Sequence, residues 1–554
     1  MSDGHLSPEP DEPDPADPSD PSDPSGPGDP ADPADPDPID PTDPCDPDPC
    51  EPRARMRADV WRLDDWDETL LWYARAIAEM QTRSIADPTS WRYQAAIHAY
   101  SRAGDPYADE ADELPSSADQ LRFWNQCQHS SWYFLPWHRM YLGTFEQIVA
   151  ATVEQLGGPT GWSLPYWNYS DDSNPDARRL PPAFRATTTP DGDPNPLRVE
   201  QRVSGANAGD VIATSTDVDI VDCLDETIFL GTAFGGTTGF GGPETAFNHG
   251  GGPPGKLEMT PHGDIHMAVG GFSPGGFMSR FNTAGLDPLF WLHHANIDRL
   301  WTVWLKRRPT NVNPTQTQWL SSPSFELHDA SGAVVAMTSS EVVDSETSVF
   351  AYRYQDETDP LTAPVVEPVE TVEVTATEAA SGEEEWAAME QSPAELVGAT
   401  ESGTTLRGEP VTASVELVAA TLPPTPEAVE GEAAPERIHL NIENIRGSEP
   451  VPHLVYLNLP EGADPAEHSE RLAGSLSMFG LAEASGQDPE HPGSGLQYSL
   501  DITRVVEVLG DDWSPDELRV TLVPKSGGAA PAEAVEEAAP STIHIGRISV
   551  YRGH

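Results

Sequence analysis

The 554-residue sequence predicts three parts. They are a mainly α-helical domain built as a four-helix bundle, a C-terminal all-β sandwich domain, and an N-terminal tail that stays disordered. Three observations carry this. Apolar residues recur at helical spacing between Trp61 and Trp304, apolar and polar residues alternate after Arg437, and acid with proline fills the first 52 positions.

The tail comes first. Residues 1–52 hold 17 acids, 17 prolines and no Lys or Arg, arranged as repeated Asp-Pro pairs. Proline fixes φ and removes a donor while the aspartates repel one another, so such a segment buries almost nothing and stays extended. A second acidic stretch, 356–436, has 19 acids and Arg407 as its one base. Its first part reads as a linker. The expected organisation is therefore tail 1–52, helical domain 53–355, acidic linker 356–387 and β domain 388–554. The two acidic stretches hold −35 of the formal charge of −60.

That surplus of acid disfavours nucleic acid and anionic membrane surfaces as partners, both of which need basic patches. No run of 18 apolar residues exists to span a bilayer. The opening MSDGHLSPEP has neither a charged n-region nor an apolar h-region, so a cytoplasmic location is expected. Four cysteines, Cys45, Cys50, Cys127 and Cys223, are too few for a disulfide scaffold.

In the helical domain, ETLLWYARAIAEMQTRS and SWRYQAAIHAYSRAG predict two helices, with His98 near the end of the second. His129 then precedes an aromatic run, and His138 stands near the start of a long helix whose buried face includes Tyr141, Leu142, Phe145 and Ile148. Further on, His262 and His266 stand at i and i+4, on one helical face. Gly263 occupies the position where a zincin would need its catalytic Glu. Asp287-Pro288 opens a helix carrying the adjacent His293 and His294. These point about 100° apart, so one of the two is expected to face a metal. Two sets of three histidines on neighbouring helices suit a pair of ions inside a bundle. Ligation by imidazole without bridging carboxylates points away from di-iron and toward copper.

At these residues the chain resembles the tyrosinase, polyphenol oxidase and hemocyanin family, over about residues 57–355. The resemblance rests on Phe134-Leu135-Pro136-Trp137-His138-Arg139 and on Asp287-Pro288-Leu289-Phe290-Trp291-Leu292-His293-His294 with Asn296, Asp298 and Arg299. It implies two copper ions, one held by His98, His129 and His138, the other by His262, His266 and His294, with His293 packed outward. Cys127-Gln128-His129 matches the spacing of members in which a thioether joins Cys to a ligand His. Phe281 falls where some members place a bulky gate over the second copper. Glu258 matches a Glu thought to hold a water for phenol deprotonation, while Gly263 stands where its partner Asn would be. That departure favours diphenol oxidation over monophenol hydroxylation.

Tyr352-Arg353-Tyr354 resembles the motif that closes the catalytic domain, with Arg57 as its partner, and Glu146 and Asp298 are candidates to brace the ligand helices. The C-terminal region resembles the domain that covers the copper cleft in polyphenol oxidases and keeps them latent. The implied activity is oxidation of o-diphenols to o-quinones with O2, with monophenols left open as further substrates, latent until the C-terminal domain is displaced. A hemocyanin-like oxygen binder would use the same six histidines.

Overall fold

The computed structural model describes residues 55–361 apart from 248–249, 251 and 273–274, and then 394–417, 437–486, 493–510, 513, 517–525 and 542–553. The expected tail 1–52, with Cys45 and Cys50, and linker residues 362–387 lie outside the described residues. No described helix is long and apolar enough to cross a membrane.

The first part is helical. Its main helices are Glu68–Gln81, Phe134–Gln155 and Pro288–Arg307, with shorter ones at Trp91–His98 and Asp264–Gly270. Their starts follow local chemistry: Asp67, Ser90 and Asp287 each accept a backbone N–H of the first turn, and Pro288 follows Asp287 at the first helical position. The Phe134–Gln155 helix is buried on every face from Phe134 to Glu146, and the Pro288–Arg307 helix likewise from Pro288 to Trp304. A helix buried all round forms the middle of a core rather than its edge. Phe145 and Trp291 stack where these two helices meet.

Buried charge locks the two together. Strand Arg55–Arg57 pairs in parallel with Tyr352–Tyr354. From it Arg57 donates to Glu146 at 2.6 Å and to the Tyr354 hydroxyl at 2.8 Å, and lies 3.7 Å over the Tyr352 ring. Asp298 receives Arg139, Arg57, Tyr352 and Tyr354. Burial alone would raise the Asp298 pKa, but the Arg139 and Arg57 guanidiniums outweigh it and hold the carboxyl below its usual range. Asp298→Asn would leave the buried Arg139 guanidinium without a carboxylate, Arg57 keeping Glu146, and is expected to cost about 3–5 kcal/mol in urea unfolding. Beyond this motif, Arg299 donates to the Asp356 carbonyl, so the opening residues of the expected linker pack on the helices.

The C-terminal part is β-rich. Its eight longer strands lie in the order Leu472–Leu476, His453–Leu457, Glu517–Pro524, Val411–Leu417, Glu395–Ala399, Arg547–Gly553, Arg437–Ile445 and Leu496–Asp501. Every neighbouring pair is antiparallel. Where a sandwich of two facing sheets is expected, these strands form one continuous sheet. It rolls until its outer strands meet, Gly474 packing on Leu500. Alternation along each strand buries Val397, Val415, Leu440, Val455, Val520 and Val550 inside the roll. Strand pattern ends early at Asp501: Thr503–Leu509 is a helix, buried through Val505 and Leu509 at i and i+4.

The two parts share an interface held by ion pairs. Lys525 of the β part donates to Asp217 at 2.6 Å and Asp264 at 2.8 Å in the helical part. Arg437 of the β part reaches across to Glu226 of the helical part, which also receives Lys256 from its own side of the interface. Two of the three lysines in the sequence are therefore placed at this seam. Met259, just ahead of His262, packs into the β core.

Candidate metal centre

Four histidines are oriented the same way. Nδ1 of His98, His138, His262 and His266 lies 3.0, 2.8, 3.1 and 2.7 Å from the carbonyls of Phe281, Phe134, Glu258 and Met278. A carbonyl only accepts, so each Nδ1 carries the proton and each Nε2 keeps its lone pair. His98 ends its helix, and His138 lies one turn into its own. His262 closes a π-type turn, Glu258–Gly263, that leads into Asp264–Gly270. The turn preserves the i, i+4 juxtaposition, with the two rings 4.7 Å apart. His129 is not on a helix but in the segment between Ser117–Phe123 and Phe134–Gln155.

The rings converge. His129 lies 5.3 Å from His98 and 5.5 Å from His138 between centroids. His266 and His294 bring their Nε2 atoms to 3.4 Å. His138 and His294 face each other across the centre, 4.4 Å apart and 7° from parallel. The first set thus meets the second.

Burial lowers the pKa of His138, His262, His266 and His294 well below the usual imidazole value, reinforced by neighbouring imidazoles, so all four are neutral. Among the described residues, Nε2 of His138 and of His262 is buried without a hydrogen-bond partner. A buried lone pair is costly unless something occupies it, and a metal ion would. Among the described residues, neither group of ligand atoms within 4.8 Å includes a carboxylate: one is His98, Cys127 and His129, the other His262, His266, His293 and His294. Neutral imidazoles with a thiol nearby fit copper.

His293 corrects the expectation. Rather than packing outward it is fully buried, stacked on His262 at 5.4 Å, with Nδ1 3.2 Å from the Tyr169 hydroxyl. The helix is enclosed on that side too, which an angular argument on one isolated helix does not register. Cys127 is buried, and its Sγ lies 3.2 Å from His129 Nδ1. Burial pushes its thiol pKa up. Glu258 accepts from the Ser130 N–H with both oxygens, at 2.7 and 3.0 Å, and burial raises its pKa to about 8. Phe281, expected over the second set, stacks instead on His129 of the first at 4.4 Å. Glu146 and Asp298 brace the ligand helices through Arg57 and Arg139.

One residue is absent from the sequence reading. Phe479, from the β part, stacks on His266 at 4.0 Å and 15°, and lies 4.6 Å from Phe281. The space left among His129, Glu258, His262, Phe281 and Phe479 is about 30 Å³. That holds a water, not a phenol ring. No local signal marks Phe479, one aromatic in an ordinary β segment.

Residues 88–307 match the common central domain of tyrosinase, and residues 393–553 match a domain of unknown function. A tyrosinase of Hahella sp. (strain CCB-MM4) is 33% identical over 520 residues, covering 90% of this chain and 99% of that protein. The chain belongs to the tyrosinase family. A latent-form polyphenol oxidase of Prunus armeniaca is 30% identical over 312 residues, 52% of this chain and 47% of that one. The chain thus spans about half the length of this plant relative. Among solved structures, that of latent apple tyrosinase matches with a TM-score of 0.57 at 22% identity, covering 91% of this chain and 98% of that one. That match is one of fold. Family membership makes the chain an oxidoreductase of copper type, with a further C-terminal domain.

Proposed function

We propose that the chain is a latent polyphenol oxidase that oxidises o-diphenols to o-quinones with O2. Two ions are expected, one on His98, His129 and His138, the other on His262, His266 and His294, within the four helical segments that supply most of the ligands. When bound, copper supplies the electron transfer: two diphenols each give two electrons and two protons, and one O2 leaves as two waters. The supporting observation is the convergence of six buried histidines, four of them with Nδ1 fixed by a backbone carbonyl, beneath an aromatic cap.

The chain's own residues do the rest. Backbone carbonyls fix the tautomer of four imidazoles, so no proton has to leave before an ion binds. Apolar rings of Phe281 and Phe479 exclude water from the centre. Glu258, anchored by Ser130, can accept a phenol proton once it is ionised, which its raised pKa places near pH 8. Gly263 provides no side chain to orient a water beside it, which supports diphenol over monophenol chemistry. Prompt hydroxylation of tyramine, without a lag, would overturn that preference.

The test is copper content together with catechol turnover, before and after limited proteolysis. About two coppers per chain and a rise in turnover on cleavage are expected. A closed cleft also suits a hemocyanin-like oxygen binder. An oxygen-dependent absorption band with no catechol turnover after opening would establish that rival.

The Cys127 to His129 distance supports a thioether in the copper-loaded protein. The S–H and a ring C–H would be lost as an S–C bond forms, with two electrons and two protons passing to O2. Peptide mapping should find the peptide bearing both residues lighter by two hydrogens; an unmodified peptide from fully loaded enzyme removes the idea.

A further inference from the structure

The C-terminal segment over the centre leaves its strand at Leu476 and turns through Met478, at φ 61°, so that Ser475, Ser477 and Phe479 all address the ligand-bearing turn. Ser475 donates to Asp264 at 2.7 Å. Phe479 stacks on His266. Between them Ser477 sits directly over Gly263: an ideal Cβ placed on Gly263 would lie 2.5 Å from Ser477 Oγ and 3.1 Å from Ser477 Cβ. Rotating the serine relieves the first contact but not the second, because Cβ moves only with the backbone. That backbone is held. Ser477 Oγ lies 3.3 Å from the Tyr498 hydroxyl, which accepts the next N–H, that of Met478, at 3.0 Å. A second glycine fits from the other side: Gly480, at φ 77°, packs where a Cβ would lie 2.6 Å from the Phe281 ring.

We propose that Gly263 is the slot that seats the cap, so that the missing side chain at this position determines whether Ser477, and Phe479 with it, closes over the histidines. The inference rests on the capping reading above and deepens it. Gly263 then has a second reason to be glycine, independent of its effect on a water beside Glu258. A methyl at 263 would press the Ser477 Cβ outward by a few tenths of an ångström, and a larger side chain would press it further. Substrate class and latency are set at the same position.

The experiment is a size exchange in the full-length, copper-loaded chain, with Phe479→Ala as the open reference. Gly263→Ala is expected to raise catechol turnover of the uncleaved enzyme at least tenfold. Ser477→Gly alone should stay within about twofold of the parent, and Gly263→Ala with Ser477→Gly should return to within about twofold, because the alanine methyl takes the space of the serine side chain. Because position 263 adjoins the ligands, the same set is read without copper by hydrogen exchange across Leu472–Gly480. Faster exchange is expected in Gly263→Ala and parental exchange in the double variant.

Unchanged turnover and unchanged exchange in Gly263→Ala, with an active Phe479→Ala, would sink the slot while leaving the cap intact. Failure of the double variant to slow the exchange again would also sink it. An inactive, copper-replete Phe479→Ala would instead overturn the capping reading on which the slot depends.

Discussion

Phe479→Ala in the full-length chain is expected to turn over catechol roughly 30- to 100-fold faster than the uncleaved parent. The ring is 7% exposed and its ring contacts are with His266, Phe281, His262 and His129, all belonging to the opposite part of the molecule. Removing a buried Phe side chain costs about 3–5 kcal/mol in a core. Those contacts exist only while the cap is closed, so about 2–3 kcal/mol of the loss falls on the closed state alone. At about 1.4 kcal/mol per tenfold, that shifts the open population by the stated factor. A second effect acts in the same direction. The vacated volume is that of a benzene ring, directly above the imidazoles, so a phenol gains a place even before the parts separate. Phe479→Leu, which keeps much of the volume, should fall between. Steady-state rates with and without proteolysis are the measurement. A variant no faster than its parent, with cleavage still activating the parent, would move the plug elsewhere.

Much of the centre is legible in the residues because its determinants are local. His262 and His266 owe their meeting to a spacing of four, and the Asp287-Pro288 start sets the helix that presents His294. Arg57, Tyr352 and Tyr354 are far apart in sequence, yet they are found together because the motif they resemble names them together. What is not legible depends on contacts between segments with no shared pattern. Phe479 and Ser477 acquire their meaning from a sheet that rolls and docks on another part of the chain, and nothing within SLSMFG records that. The β character of the C-terminal part is legible for a related reason: alternation shows that a strand has one buried face, but not whether that face looks at a second sheet or across a curled one. His293 was misplaced because the helix bearing it is enclosed on every side. Gly263 is the instructive case. Its identity was legible and its consequence for a bound water was readable, while its role as a seat needed Ser477 in place.

His294 and His293 should separate sharply when each is replaced, although they are adjacent and equally buried. His294 brings Nε2 to 3.4 Å from His266 Nε2 and faces His138 across the centre, so it stands where the two sets meet. His293 has its Nδ1 by the Tyr169 hydroxyl and its ring against His262. His294→Ala is therefore expected to lower copper from about two per chain to about one. Catechol turnover should fall by at least about 10³-fold, since losing one member of a unit that acts together costs most of its rate. His293→Asn, which keeps a polar group toward Tyr169, should retain both coppers and lose turnover by about tenfold, the scale on which partners behind the ligands tune a metal site. Copper analysis of the purified variants separates the outcomes without reference to rate. If His293→Asn lost a copper and His294→Ala kept both, the ligand assignment would have to be exchanged, and the second ion would lie on the Tyr169 side of the helix rather than between the two sets.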